Sequence, residues 1–253
     1  MRLAELSWIE AQEAFKKTNM IILPVGSTEQ HGPHCPLGTD HITADAVANM
    51  VGESAKLPVL PVIPVGVSSH HRQFPGTLWV SPTVFRDYVK AVILSAASHG
   101  SRKFLVVNGH GGNTPSLKEI AEELRSDYEI FVAIVTAYPL KLDGHAGEDE
   151  TSLILHLRPD LIDMKKAVDT KQREEIAGII MKSQKAGPAD FGWDTIDLST
   201  TGIFGAAGKT IEATKATATH GEEILKAHVN ELCAFAEELK KARLEELLPK
   251  PHK

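Results

Sequence analysis

The sequence predicts an α/β fold of three layers, with helices on both faces of a mainly parallel sheet. Short apolar runs alternate with helix-spaced segments from Met20 to Pro159, the pattern of strands joined by crossover helices. The 253 residues suit one large domain, and residues 1–253 are read as a single unit. The apolar runs end in polar loops marked by Gly, His and acidic residues, as expected where strands deliver a site to one sheet edge.

The elements follow in order. Ser7-Trp8-Ile9-Glu10 reads as a capping box, so a first helix starts near Trp8. Met20 to Val25 is a buried strand, closed by Gly26. A Gly/Pro-punctuated loop runs to Asp40, and His41 to Ala55 has helical spacing. Val59 to Val67 reads as a second strand, pushed to an edge or an irregular path by Pro61 and Pro64. Ser81-Pro82 opens a helix to about Ala97. Lys103 to Val107 is a third strand, and Thr114-Pro115 opens a helix to about Arg125. Ile130 to Ala137 is a fourth strand, and Glu148 to Leu157 is a helix stopped by Pro159. Residues 185–210 are Gly-rich and weakly periodic, which predicts a surface excursion; Gly221 to Leu248 is a long amphipathic helix.

Bulk properties narrow the class. Hydrophobic residues make up 42% and charged residues 24%, an ordinary globular balance. A net charge of −6 argues against a nucleic-acid partner. No apolar run approaches the roughly 20 residues of a membrane helix. The start, Met1-Arg2-Leu3-Ala4-Glu5, lacks a signal-peptide pattern. Two cysteines, Cys35 and Cys233, make no disulfide framework, so reduced thiols and a cytoplasmic location are expected. Twelve histidines is a high count, and several stand beside Gly and acidic residues.

Taken singly, these residues have ordinary roles. Asp40 fits an N-cap, Glu29 a surface carboxylate and His31 a hydrogen-bonded loop histidine. Jointly, Glu-x-His with a further Asp in one loop offers N and O ligands suited to zinc, manganese or iron. Asn108-Gly109-His110-Gly111-Gly112-Asn113 follows a strand and precedes a helix. It lacks the Lys-Ser/Thr of a P-loop; the glycines let backbone approach a ligand, His110 is a candidate metal ligand, and Asn108 or Asn113 orients it. In His145 to Ser152, Asp149 is accounted for by the helix dipole, which leaves Glu148 and Glu150 as candidates for metal ligand and proton carrier. The His70 to Thr77 segment is either a solvated loop or a substrate-facing one, with His71 in contact and Phe74 and Trp79 as apolar walls. No G-x-S-x-G elbow exists for a serine nucleophile, and Cys35 reads as a buried bystander.

Together these stretches resemble the creatininase family, also called creatinine amidohydrolase-like. The matching segments are Gly26 to His34 with Pro36 to Asp40, His71 with Phe74-Pro75-Gly76-Thr77, Asn108 to Asn113, and His145 to Glu148 with Glu150-Thr151-Ser152. The resemblance implies a creatininase-like layered fold, a homo-oligomer (typically a hexamer), and two divalent ions per chain (Zn, Mn or Fe). It implies that Glu29, His31, Asp40 and His110 bind metal, with Asp40 bridging. The family member acting on creatinine has a glutamate ligand where this chain has Gly112, and Glu148 is the expected replacement, with Glu150 the alternative. That relative also has tryptophans enclosing its substrate, whereas Pro139 to Gly144 contains none. The expected function is hydrolysis of a cyclic amide or formamide by an activated water. His145 or Glu150 serves as general acid, and His71, Phe74, Gly111 and Gly112 face the small-molecule substrate. A metallopeptidase on the same scaffold, a formamide hydrolase of riboflavin or deazaflavin synthesis, and a non-catalytic metal- or metabolite-binding protein are the alternatives.

Overall fold

The computed structural model describes residues 1–139, 142–182, 185–186, 189 and 192–250. Its centre is a parallel sheet of β1 (Met20–Val25), β2 (Lys103–Asn108) and β3 (Phe131–Thr136), in the order β1-β2-β3. The register sets Val25, Asn108 and Thr136 in one row, so all three strands leave the sheet at the same height.

Alternation along each strand divides the core between two faces. Met20, Ile22, Leu105 and Val107 face α2 (Thr39–Ala55) and α7 (Ala218–Lys241), packing with Val47, Val51, Leu225 and Leu232. Ile21, Leu23, Phe104 and Val106 face α3 (Pro82–Ala97) and α4 (Thr114–Tyr128), packing with Phe85, Ile93, Leu117 and Ile120. This is the expected three-layer α/β/α arrangement. The strands β1 and β2 are buried throughout, whereas β3 is half-buried and ends the sheet among the described residues.

The helix starts follow local chemistry. In α1 (Trp8–Lys17), Ser7 and Glu10 form the expected capping box, and Ser81 caps α3 ahead of Pro82. The helix α5 (Glu148–Leu157) has the expected bounds. Asp40 is inside the first turn of α2, whose N-cap is Gly38, so it is not a cap. The long C-terminal helix is shorter than expected: α7 ends at Lys241, and α8 (Leu244–Leu247) follows separately. The buried Lys103 ammonium donates to the carbonyls of Leu239 (2.9 Å), Lys240 (2.8 Å) and Ala242 (3.0 Å), which turns the chain end onto the base of β2.

The expected strand Val59–Val67 does not form. Pro61 and Pro64 supply no N–H, and the segment joins β1 only through isolated bridges at Val59 and Ile63. Beyond α5, Thr170–Lys171 pairs with Thr210–Ile211, and Glu175–Ile176, Ile179–Lys182 and Lys185–Ala186 form a second small antiparallel sheet. A single-turn helix, α6 (Thr195–Leu198), follows. Of the stretch 185–210, residues 187, 188, 190 and 191 lie outside the described residues. Ile203 and Phe204 are buried, which corrects the expectation of a surface excursion. No helix among the described residues is long and apolar enough to cross a membrane.

Candidate metal centre

The loops leaving β1 and β2 are folded onto one another. Gly109 lets the end of β2 abut the start of α2, since a Cβ there would lie 2.3 Å from the Asp40 carbonyl. That approach brings His110 beside Asp40. Asn113 staples three segments: its amide donates to the Gly26 carbonyl (3.0 Å), and its oxygen accepts from the Val67 N–H (2.9 Å). Asn108 accepts from the His110 N–H (3.2 Å) and donates to the His110 carbonyl (2.8 Å). Both asparagines order the turn that carries His110.

The side chains converge in a buried cluster. His110 Nδ1 is 3.1 Å from Glu29 Oε2 and 3.2 Å from Asp40 Oδ2. His31 Nε2 is 3.0 Å from Asp40 Oδ1 and 3.7 Å from Glu150 Oε2. Asp40 thus turns one oxygen to each imidazole. Glu29 belongs to both groups of donor atoms that come within 4.8 Å of one another: Glu29, Asp40 and His110, and Glu29, His31 and His145. Glu29 Oε2, His31 Nε2 and Asp40 Oδ2 are buried and lack a hydrogen-bond partner. Such orphaned atoms are costly unless something else satisfies them.

Each imidazole is held by its other nitrogen. His31 Nδ1 is 3.2 Å from the Glu29 carbonyl, His110 Nε2 is 3.0 Å from the Val67 carbonyl, and His145 Nε2 is 2.8 Å from the Gln30 carbonyl. Assigning the proton to each anchored nitrogen leaves a lone pair facing the cluster, the arrangement of metal-binding histidines. His71 supports the cluster from behind, its Nε2 3.1 Å from Glu29 Oε1 and its Nδ1 held by Thr195 Oγ1 and the Gln30 amide at 2.9 Å. The Tyr138 hydroxyl donates to Asp40 Oδ1 (3.2 Å).

Electrostatics follow from burial and charge. Burial opposes ionisation of Glu29, but His110 and His71 hold its carboxyl well below the usual range. Burial also opposes charge on His31, yet Asp40 and Glu150 raise it to about 9. Burial pushes Glu150 up to about 7. Burial, reinforced by His31 and His71, drives His145 well below the ordinary value. Burial pushes the Cys35 thiol up to about 12, so it is no nucleophile at neutral pH.

Two cavities meet at the cluster. One, of about 640 Å3, is walled by His70, Trp193, Phe204 and the backbone of Gly111 and Gly112. The other, of about 560 Å3, passes Tyr138 and Thr136. A larger groove of about 870 Å3 between α1 and α3 contains no carboxylate. In the first cavity His70 stacks on His110 (centroids 5.6 Å apart), Trp193 meets His70 edge-on (5.4 Å), and Phe204 stacks on His145 (4.8 Å). Asp194 fixes this wall to the His71 segment by accepting from Arg72 (2.6 Å).

Of the sequence-derived candidates, Glu29, His31, Asp40, His110, His145 and Glu150 come together, and His71, Gly111 and Gly112 border them. Glu148 does not. It lies two residues from Glu150 on α5, about 200° around the helix axis, where its charge raises the Lys215 and His220 values slightly. Glu150 therefore stands where Glu148 was expected. Phe74 is half-buried and Trp79 is 46% exposed; neither borders a cavity at the cluster, because the chain turns away after His71. Tyr138 and Trp193 are site residues that the sequence does not single out; Gln30, His70 and Phe204 stand within segments it does mark, without a role of their own. Gln30 and His70 each stand next to a chosen residue, and Phe204 lies in the Gly202-Ile203-Phe204-Gly205 run, a weak echo of the family pattern.

This sheet, with its buried cluster of N and O donors, belongs to a chain that matches a class of hydrolases. A family model, Creatininase, described as creatinine amidohydrolase, matches residues 4–236, and the chain belongs to the creatininase family. Its relatives are hydrolases, among them a creatinine amidohydrolase and a peptide peptidase. The mycofactocin precursor peptide peptidase of Mycolicibacterium smegmatis is 34% identical over 217 residues, which cover 83% of this chain and 81% of that protein. The creatinine amidohydrolase of Pseudomonas putida is 31% identical over 194 residues, covering 65% and 75%. A solved structure of creatininase with Mn superposes with a TM-score of 0.77 at 26% identity, covering 95% of this chain and 99% of that one. A Zn-Zn form of a creatininase mutant gives a TM-score of 0.77 at 25% identity, covering 95% and 98%.

Proposed function

We propose that the chain is a metal-dependent hydrolase of an amide C–N bond, with two divalent ions held by Glu29, His31, Asp40, His110 and Glu150. The observation that carries this reading is the convergence of buried N and O donors, Glu29 with Asp40 and His110 and Glu29 with His31 and His145, each group within 4.8 Å, while Glu29 Oε2, His31 Nε2 and Asp40 Oδ2 make no hydrogen bond. An oxygen and nitrogen donor set of this kind fits Zn, Mn or Fe, and solved relatives with Zn and Mn support it. When bound, such ions acidify a water and polarise a carbonyl.

The protein's own groups do the rest. His71 holds Glu29 in place, and Tyr138 does the same for Asp40. His145 presents Nδ1 toward Glu150 at 4.0 Å, with Nε2 tied back to Gln30. Water adds to the carbonyl carbon, the C–N bond breaks, and His145 passes the water's proton to the leaving nitrogen. Trp193 and Phe204 exclude solvent on one side.

His110→Ala is expected to lose bound metal and turnover together. His145→Ala is expected to keep two ions, by elemental analysis, and lose turnover. Loss of one ion from His145→Ala moves His145 into the ligand set, and unchanged turnover overturns its role. A second reading is cleavage of a peptide amide. The higher identity and coverage of the peptidase relative favour it, and assays on lactams, formamides and short peptides separate the two.

A further inference from the structure

The two cavities at the cluster share Glu29, His110 and Glu150 but differ in what lies beyond them. Among the described residues, the one walled by Trp193 and Phe204 is bordered by no lysine or arginine. The other runs from Asp40 and His110 past Thr114 to Lys118. Lys118 stands one turn after Thr114, on the same face of α4. Its head is exposed and forms no ion pair among the described residues, although Glu122 stands at i+4. Its neighbours on α4 are already paired, Glu119 with Arg86 and Glu123 with Lys90.

We propose that Lys118 is a specificity residue, receiving an anionic group, carboxylate or phosphate, that the substrate carries away from its scissile C–N bond. This deepens the hydrolase reading above and rests on it. The substrate is elongated, with its planar or apolar part against Trp193 and Phe204 and its anionic part along α4 toward Lys118. A small neutral cyclic amide leaves this second arm unused.

The test uses hydroxamic acids as non-hydrolysed probes, with linkers of about three to five carbons ending in carboxylate, phosphonate or carboxamide. They are titrated calorimetrically into the Zn-loaded full chain, with metal content measured in parallel. At the best length the wild type is expected to favour a charged probe over its carboxamide twin about tenfold, a partly screened charge-assisted contact. Lys118→Met is expected to erase that preference while carboxamide binding stays within about twofold, and Lys118→Arg is expected to keep it. The ratio of carboxylate to phosphonate affinity identifies the anion. A preference that survives Lys118→Met, or that is absent from the wild type at every length, overturns the proposal while leaving the hydrolase reading standing. A chain that takes up no metal, or binds no hydroxamate, overturns both.

Discussion

Gly112→Ala tests whether the backbone around His110 is shaped for ligand placement. A methyl group there would lie 2.4 Å from His110 Nε2 and 2.4 Å from the Val67 carbonyl. Ordinary contact begins near 3.4 Å, so the imidazole and the carbonyl must part by about 1 Å, breaking their 3.0 Å hydrogen bond. Losing the group that orients a metal-binding histidine costs about 10–100-fold in metal affinity, or about 1.4–2.8 kcal/mol. The neighbouring Gly111→Ala is the control, because its Cβ would meet nothing within 4 Å, and a change within about 0.5 kcal/mol is expected. Competition with a chromophoric chelator reads both variants. Equal metal affinity for the two refutes the argument that Gly112 makes room for an oriented His110.

Three further outcomes follow. Lys103→Met removes an ammonium that three carbonyls share; even after relief of the buried charge, a loss of about 3 kcal/mol is expected, read as a fall in Tm of roughly 10 °C, and an unchanged Tm contradicts the role. Burial holds His34 and His70 down to about 4, against about 6.5 unfolded. Their stabilisation is therefore full above pH 6.5 and lost as pH falls toward 4, while Glu150, raised to about 7, acts oppositely as pH falls from 7 toward 4.5. The urea midpoint of metal-free His70→Gln is expected to fall less between pH 6.5 and 4 than that of the wild type, and equal falls contradict this. Cys35, with its thiol pushed up to about 12, is expected to resist iodoacetamide at pH 8 in the native state, and Cys35→Ala to keep its metal; rapid labelling contradicts the burial argument.

Much of the fold was legible because strand and helix periods differ and because caps mark their own positions. The bounds Met20–Val25 and Pro82–Ala97 follow from an apolar run closed by Gly and from Ser-Pro at a helix start. Val59–Val67 misled because apolar composition does not supply the N–H groups that Pro61 and Pro64 lack. The cluster was legible where chemistry-bearing residues lie close along the chain, as in Glu29 to Asp40. Choosing between Glu148 and Glu150 depended on helix phase, which a run of three acidic residues conceals. Trp193 and Tyr138 were illegible because only tertiary folding brings them to His70 and Asp40.

The common row of Val25, Asn108 and Thr136 separates two jobs along each strand. Below that row the side chains interlock in the interior, and a change there is felt throughout the frame. Above it the segments are tied to one another by individual polar links and by small apolar clusters separate from the main core, so one can be rebuilt without reopening the packed layers. The architecture therefore tolerates a new pocket at little cost to its foundations.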